Sequence, residues 1–525
     1  MRFPMLGVAL ALASAPALAA TPQVKLAQGA VSGVQQDGIQ MFRGIPFAAD
    51  TGGDQRWRPP SAPPSWRGVR DGSQPGPICP QAPDKYAGGS DWTADYRMGE
   101  DCLNLSVYAP AAASQGKGKR GKLPVMVWVH GGSARVGSGA TFDGSPLAGR
   151  GVVLVTLNYR LGLLGWFAHP AVSAEQPDAP LANYGLMDIL AGLRWVRENI
   201  AAFGGDPDNV TLFGQSSGSV ATSALMASPL SQGLFQRAIA QSGVPSHIEH
   251  PGYLARDLPG MPSLESTGVA MAGKLLPDQP EPTPAQLRAL PWADIISYQE
   301  AALRPGALVP VIDGRILPVP VEGAFAKGKQ LPIPMMIGTT SWEKSLYANF
   351  RLPVELVYRS APKEEVQAHY PGLADQALVQ QWLEDTGFNA PVRWIADAHA
   401  DHGFPTWVYR FDHLSPAAIK AGQPGAAHSD DNFYLFTRSN RDNLDFKLAS
   451  EQQMRDLMLG YWVQFARNGD PNGPDLPDWP RWSGDGHGST QLLDVPVRKA
   501  QDLMGPQMRY HHGRYRKLLQ AGTPE

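Results

Sequence analysis

Apolar residues along the chain fall into two kinds of run, and these alternate through the first half of the sequence. Residues 123–130 (LPVMVWVH) and 152–160 are continuous aliphatic and β-branched segments, which is typical of strands covered on both faces. Between residues 185 and 203 the apolar positions recur every three or four residues, which predicts an amphipathic helix. A strand at 209–213 and a helix at 217–227 follow. This alternation favours a largely parallel, doubly wound α/β sheet.

The rest of the chain extends this pattern without showing a second domain. Further strands are predicted at residues 238–242, 335–339 and 406–411, and a helix at 450–468. No internal repeat is present, and the 49 prolines and 56 glycines are spread along the chain instead of being gathered in a linker. We therefore expect residues 20–525 to form a single domain.

The first twenty residues have a different pattern, with one basic residue before an apolar run that ends in Ala-Leu-Ala. This arrangement is typical of a cleaved secretory signal, so we expect residues 1–19 to be removed by cleavage near Ala19 or Ala20. A membrane anchor is the alternative, but the run is short and is broken by Pro16. The mature protein is therefore predicted to be soluble and either secreted or periplasmic.

Composition and charge exclude several other functions. The formal net charge is −3 and no basic face is apparent, so binding to nucleic acid or to anionic lipid is not expected. No Walker, Rossmann or metal-ligand pattern is present, and we predict neither a cofactor nor a metal.

The pair His511-His512 has no matching ligands at a useful spacing and is expected at the surface. We expect a monomer.

Cys79 and Cys102 are the only cysteines. An even pair in an exported chain favours a disulfide, and two buried free thiols are the alternative. By restricting the unfolded chain, such a bond would contribute about 3 kcal/mol to stability.

The pattern G-x-S-x-G occurs at residues 214–218, within FGQSSGS. Ser216 is the serine with glycine two positions away on both sides, and it lies between a predicted strand and a predicted helix. That is the setting of a nucleophile elbow, where small neighbours let the backbone turn sharply and expose the hydroxyl. The next residue, Ser217, would contribute its backbone N–H, and Ser219 is expected to be a polar residue near the helix cap.

An elbow also needs hydrogen-bond donors from an earlier loop, because the negative oxygen formed during acyl transfer must be stabilised. The sequence HGGS at residues 130–133 follows a predicted buried strand and supplies small residues with accessible N–H groups. An ordinary glycine-rich turn is the alternative interpretation.

Five further segments carry a family resemblance, and they occur in the family's order: FRGIPFA (42–48), RWRPP (56–60), EDCLNLSVYAP (100–110), NYRLGLLGW (158–166) and the stretch from NYGLMDI to GQSSGS (183–219). From about residue 25 to 485 the chain resembles the type-B carboxylesterases, which include the cholinesterases. The resemblance implies an α/β-hydrolase fold, with a large, mostly parallel central sheet flanked by helices and loop insertions around an active-site gorge.

The resemblance also implies a catalytic triad. The family's acid motif falls on GTTSWEK and selects Glu343, and its histidine motif falls on HSDDNFYLF and selects His428. The order serine, acid, histidine is that of α/β-hydrolases. From the residues alone neither assignment stands out, and Asp430 and Asp431 remain fallback acids.

Other positions follow from the same resemblance. The oxyanion donors would be the backbone N–H groups of Gly132, Ser133 and Ser217. The two cysteines would be paired, in agreement with the interpretation above. Ser242 resembles a serine that supports the acid, and a strand-end serine that caps local backbone is the alternative.

The chain departs from the family pattern at several positions. Gln215 replaces a buried Glu, so it keeps hydrogen bonds but lacks the charge that would favour a protonated imidazole. Trp342 and Lys344 flank the acid, and the lysine could compete for Glu343 or point to solvent. Trp92 lies where cholinesterases stack a tryptophan on choline. Because Gln215 removes a nearby negative charge, we interpret Trp92 as an aromatic wall for aryl or alkyl esters instead.

The sequence therefore predicts a serine carboxylic-ester hydrolase that acts through an acyl-enzyme on small to medium neutral esters. A non-catalytic binding or adhesion module is one alternative, and retention of all three triad residues argues against it. An amidase or thioesterase with the same triad is another, which the sequence does not separate because the acyl-transfer machinery is shared.

Overall fold

The computed structural model describes residues 21–84, 91–114, 121–176, 181–249, 252–303, 308, 310–436, 444–484 and 488–522. The predicted signal, residues 1–19, lies outside these ranges. Within them the strands are β1 Gln23–Lys25, β2 Ala30–Ser32, β3 Val34–Gln36, β4 Ile39–Pro46, β5 Val69–Asp71, β6 Asn104–Pro110, β7 Leu123–Val129, β8 Val153–Leu157, β9 Gly205–Gln215, β10 Arg237–Gln241, β11 Met335–Thr340, β12 Thr406–Phe411, β13 Ser489–Leu493 and β14 Arg498–Gln501.

The α-helices of the described residues are α1 Ala111–Ser114, α2 Ser145–Ala148, α3 Gly162–Gly165, α4 Pro170–Ala174, α5 Tyr184–Asn199, α6 Ser217–Met226, α7 Leu264–Leu275, α8 Pro284–Arg288, α9 Trp292–Ala302, α10 Val321–Ala326, α11 Glu355–Ser360, α12 Lys363–His369, α13 Asp375–Glu384, α14 Ala390–Asp401, α15 Pro416–Lys420, α16 Asn432–Leu435, α17 Ala449–Asn468 and α18 Gly505–Gly522. A π-helix, Asp385–Asn389, joins α13 to α14, and a 3-10 turn, Glu343–Tyr347, follows β11 closely.

The main sheet has eleven strands in the order β14-β13-β12-β11-β10-β9-β7-β8-β6-β4-β3. The central strands from β8 to β13 run parallel, and antiparallel pairs lie at both ends of the sheet. A second sheet contains β1, β2 and β5. The predicted α/β class and the mostly parallel sheet are confirmed.

Central strands supply side chains to a core on each face of the main sheet. Along β7, Val125, Val127 and Val129 belong to one hydrophobic cluster, whereas Met126 and Trp128 belong to the other. Successive side chains of a strand point to opposite faces, so a strand buried on both faces must be apolar throughout. This explains why residues 123–130 show no alternation of polar and apolar positions.

Most predicted elements differ from the observed ones by one or two residues. Strand β12 has the predicted bounds. Helix α5 ends at Asn199 instead of residue 203, because a 3-10 turn and the left-handed Gly204 follow. The start of β9 differs by four residues, as the end of α5 does, because this strand begins at Gly205 instead of residue 209. Gly205 is followed by the polar residues DPDN, so a search for hydrophobic runs does not detect this part of the strand.

Two expectations about individual side chains have different outcomes. Cys79 and Cys102 form a disulfide, as predicted. The surface placement of His511 and His512 is wrong, because α18 packs these side chains inward and they are 0% and 6% exposed. The hydroxyl of Tyr370 lies 2.6 Å from His511 Nε2 and satisfies this buried ring.

Among the described helices, none is long and apolar enough to span a bilayer. Of the described parallel strands, three end where predicted site residues begin. Residues 130–133 follow β7, Ser216 follows β9 and Glu343 lies shortly after β11. In open α/β sheets, ligands bind at the carboxyl ends of the strands, so the fold places the candidate site at this edge.

Candidate active site

Ser216 occupies a sharp turn between β9 and α6. Its backbone has φ +56° and ψ −125°, and its N–H donates to the carbonyl of Gln241 at 2.8 Å. A left-handed conformation of this kind in a residue other than glycine costs about 1–3 kcal/mol and persists only where the surrounding structure holds it. A Cβ at Gly214 would lie 2.5 Å from the carbonyl oxygen of Gly218, and one at Gly218 would lie 2.0 Å from that of Val129. Both flanking glycines are therefore required by close packing.

Ser217 and Ser219 lie in the first turn of α6. Ser217 is the first helical residue, so its N–H has no acceptor within the helix and lies at the positive end of the helix dipole. Ser219 is buried, and its hydroxyl donates to the carbonyl of Gly243. Ser219 thus fastens the helix to the loop after β10.

The loop of residues 130–133 lies directly beside the elbow. A Cβ at Gly131 would be 3.0 Å from Cβ of Ser216. Gly132 and Ser133 have φ values of +107° and +55°. The loop is anchored by Tyr159, whose hydroxyl donates to the carbonyl of His130 at 2.7 Å. Within the described part of the chain, no hydrogen bond uses the N–H of Gly132 or Ser133, so both remain available to a ligand.

Glu343 and His428 meet although they are 85 positions apart in the chain. Oε2 of Glu343 is 2.5 Å from Nδ1 of His428, and Oε1 accepts the N–H of Thr340 at 2.7 Å. The carboxylate is fully buried. The backbone N–H of His428 donates to Oγ of Ser345 at 3.0 Å, which further fixes the histidine loop. A buried carboxylate at Nδ1 orients the imidazole and leaves Nε2 to exchange a proton.

Gln215 contacts the other ring nitrogen. Its Nε2 is 3.0 Å from Nε2 of His428, and its side chain is 3% exposed. Among the described contacts, no hydrogen bond joins Ser216 Oγ to the imidazole. Of the predicted site residues, the structure therefore brings together Gln215, Glu343 and His428, with Ser216 adjacent in the chain to Gln215.

The two fallback acids are engaged elsewhere. Oδ2 of Asp430 accepts the N–H of Ala427 at 2.7 Å. Oδ2 of Asp431 accepts from Gln241 Nε2 at 2.8 Å and from the Tyr409 hydroxyl at 3.2 Å. Complete burial, together with the nearby charge of Glu343, raises the pKa of Asp431 to about 6. Of the three acids, Glu343 is the one that holds the short contact with Nδ1.

The remaining departures and supporting residues lie around this centre. Trp342 donates its N–H to the carbonyl of Ala426 at 2.9 Å, which links the acid loop to the histidine loop. Lys344 points its Nζ at Oε1 of Gln381, 2.7 Å away. The hydroxyl of Ser242 is buried and makes no hydrogen bond within the described residues. Its predicted support of the acid stays a prediction.

Trp92 is buried in the packing of its own segment. Its indole N–H donates to Oδ2 of Asp84 at 2.9 Å, and its ring meets the edge of Tyr96 at 6.0 Å between centroids. Residues 85–90 lie outside the described ranges. The role of Trp92 in a substrate pocket stays a prediction.

Three contributors to the site, Phe388, Tyr347 and Gln241, were missed from the sequence. The ring centroid of Phe388 lies 5.2 Å from that of the His428 imidazole, and the ring centroid of Tyr347 lies 6.5 Å from that of Phe388. Phe388 is in the π-helix, and π-bulges are frequent at functional sites, but no sequence signal marks one. Gln241, which accepts the Ser216 N–H, also carries no signal. No cluster of metal-ligating side chains occurs in the described residues.

The turn at Ser216, the parallel strands that support it and the acid that follows β11 place the protein in the class of α/β-hydrolases. A carboxylesterase from Geobacillus stearothermophilus has the same fold, with a TM-score of 0.77 and 28% identity over 93% of this chain and 99% of that one. The family model for carboxylesterases matches residues 20–372 and 365–510. The chain belongs to the carboxylesterase family and is a carboxylic-ester hydrolase.

Individual relatives support this membership. A fumonisin B1 esterase from Sphingopyxis macrogoltabida is 36% identical, covering 92% of this chain and 91% of the relative. The para-nitrobenzyl esterase of Bacillus subtilis is 32% identical, covering 90% of this chain and 95% of the relative. Both alignments extend over nearly the whole length of each protein.

Proposed function

We propose that the protein hydrolyses small to medium neutral alkyl or aryl esters through an acyl-enzyme on Ser216. The observation that carries this proposal is the 2.5 Å contact between Glu343 Oε2 and His428 Nδ1, formed beside a strained serine elbow. A buried acid, an oriented imidazole and a serine hydroxyl on such a turn are the components of acyl transfer.

In this mechanism Oγ of Ser216 attacks the ester carbonyl carbon while its proton moves to Nε2 of His428. The carbonyl electron pair moves onto oxygen, where the N–H groups of Gly132, Ser133 and Ser217 stabilise the charge. The C–O bond to the alcohol then breaks, and the alcohol leaves with the proton from His428. Water repeats the sequence on the acyl-enzyme and releases the acid. Glu343 stabilises the imidazolium at both stages.

A preference for neutral esters is supported by the side chains around His428. Phe388 lies beside the ring and Tyr347 lies next to Phe388, so both neighbours on this side are aromatic and uncharged. Gln215 places an amide at Nε2 of the ring. Nothing in this set would attract a cationic alcohol as a carboxylate would. Two of the relatives named above are called fumonisin B1 esterase and para-nitrobenzyl esterase, and the second name contains an aryl group.

The proposal is tested with p-nitrophenyl esters of rising acyl length, together with aryl and choline esters, an anilide and a thioester. We expect turnover of neutral esters, weak turnover of the choline ester, and none with Ser216→Ala. Preferred cleavage of the anilide or thioester would favour the amidase or thioesterase alternative. Wild-type protein that an organophosphonate does not label would favour the binding module.

We further propose that the protein acts outside the cytoplasm. The Cys79–Cys102 disulfide supports this, because such bonds persist in oxidising compartments. Fractionation of expressing cells tests it: activity in the periplasm or medium is expected, and activity confined to the cytoplasm would contradict the proposal.

A further inference from the structure

The side-chain amide of Gln215 lies between the imidazole of His428 and the oxyanion loop. On one side its Nε2 is 3.0 Å from His428 Nε2. On the other, a Cβ placed on Gly131 would lie 3.0 Å from its Oε1. Gln215 is the last residue of β9, and its backbone pairs with Gln241 of β10. The main sheet therefore fixes the position from which the side-chain amide extends.

The protonation of the ring decides how these two nitrogens interact. Nδ1 of His428 faces the carboxylate of Glu343 at 2.5 Å. Because an ionised carboxylate can only accept, Nδ1 carries the proton of that hydrogen bond. In the neutral imidazole Nε2 is then an acceptor with a single lone pair in the ring plane. The NH₂ group of Gln215 faces that lone pair and can only donate to it.

Ser216 needs the same lone pair. To become a nucleophile, its hydroxyl must transfer its proton to Nε2 of His428. An sp² nitrogen with one lone pair accepts one well-directed hydrogen bond, so the amide and the hydroxyl exclude each other. In the observed structure the Gln215 amide occupies the hydrogen-bonding position at Nε2 of His428.

We propose that Gln215 is a positioning residue that caps Nε2 of His428 in the resting enzyme, so that Ser216 is activated only when the amide withdraws. The inference rests on the proposed function, because it assigns a resting state to the same triad. The ring itself cannot easily turn to Ser216, because Glu343 holds Nδ1, Ser345 holds the backbone N–H and the tilted ring of Phe388 packs beside the imidazole.

A carboxylate at position 215 could not act in this way. An ionised Glu has no proton to donate to a neutral Nε2, and it would interact with the ring only after the ring is protonated. The amide therefore gives this chain a competition between Gln215 and Ser216 that an acidic side chain would not create.

The rate at which Ser216 is phosphonylated tests the inference. The probe is a small neutral methylphosphonate with a p-nitrophenyl leaving group. The Oγ–P bond forms, the P–O bond to nitrophenolate breaks, and the serine proton passes to His428. In Gln215→Met the side chain keeps its length but has no donor. We expect the second-order rate constant to rise about threefold to tenfold, the factor that corresponds to one ordinary hydrogen bond.

The chain offers a matched control in a second buried glutamine–histidine pair. Nε2 of Gln330 lies 3.1 Å from Nδ1 of His399, whose Nε2 lies 2.9 Å from the carbonyl oxygen of Ile333. Gln330→Met removes the same type of hydrogen bond far along the chain from the elbow. It should lower the melting temperature as Gln215→Met does, and leave the rate of phosphonylation unchanged.

A rate at or below that of the wild type in folded Gln215→Met would overturn the inference, because the amide would then support the triad. If Gln215→Met does not fold, Gln215→Asn replaces it: the shorter amide cannot reach Nε2, and the same rise is expected. Ser216→Ala separates the two proposals. If it is labelled at the wild-type rate, the proposed function itself is wrong, whatever the Gln215 variants do.

Discussion

Lys344, the residue that follows the buried acid Glu343, forms its ion pair with Glu384 of α13, at 3.6 Å between Nζ and Oε2. The backbone N–H of Lys344 also donates to Glu384 Oε1 at 3.1 Å. Burial raises the pKa of Glu384, and the charge of Lys344 opposes that rise. The lysine therefore stabilises the contact between the acid loop and α13, and it does not compete with His428 for the carboxylate of Glu343.

Replacement of this lysine should consequently affect stability and not chemistry. For Lys344→Met we expect kcat/KM within about twofold of the wild type, and a loss of up to about 1 kcal/mol in unfolding free energy, since the lysine is partly exposed. Steady-state kinetics with a p-nitrophenyl ester and urea denaturation measure the two effects. A fall of kcat by more than tenfold without unfolding would show that Lys344 acts on the triad.

The acid of the triad can be tested with two amide substitutions of equal size change. Glu343→Gln should reduce kcat about 10³-fold to 10⁴-fold, because an amide no longer holds the imidazole in the tautomer that accepts the serine proton. Asp430→Asn should keep kcat within a few-fold, since its carboxylate bonds to the backbone of its own loop. The comparison uses one ester at saturating concentration. The reverse order of effects would identify Asp430 as the acid.

The parts of the fold that could be predicted are those encoded by neighbouring residues. Strand β7 and helix α5 are visible because their hydrophobic patterns reflect burial on two faces and on one stripe. Ser216 is visible because Gly214 and Gly218 must be small. The pair of Glu343 and His428 has no local signal, since the two residues are 85 positions apart and only the tertiary fold brings them together. Only the resemblance to a family located it.

The errors have the same origin. The burial of His511 is decided by the packing of α18 on the rest of the molecule, which no spacing along the helix reveals. Phe388 reaches His428 through a π-turn that changes the register of a long helical segment. A buried Gln215 near the histidine follows from the family resemblance, whereas its contact with Nε2 in particular depends on tertiary packing that no local pattern encodes.

Removal of the disulfide should cost stability without affecting the active site directly. The bond closes a loop with a sequence separation of 23, and its loss in the double variant Cys79→Ser, Cys102→Ser should lower the unfolding free energy. We expect about 3 kcal/mol from the greater entropy of the unfolded chain. Urea denaturation of the variant measures the difference, and the reduced wild type is the control. A loss below about 1 kcal/mol would contradict this assignment.

Glu322 should make stability depend on pH. Its side chain is 1% exposed, and burial raises its pKa from 4.5 to about 8. Between these values the folded chain keeps a proton that the unfolded chain releases, so the unfolding free energy falls as pH rises through this window. Glu322→Gln removes this pH dependence, because an amide does not ionise. We expect the variant to gain most at pH 8, by up to about 4 kcal/mol, and little at pH 4.5 or below. Thermal unfolding at both pH values measures the gain, with the exposed Glu364→Gln as control. Equal gains at the two pH values would show that Glu322 is already ionised in the folded protein.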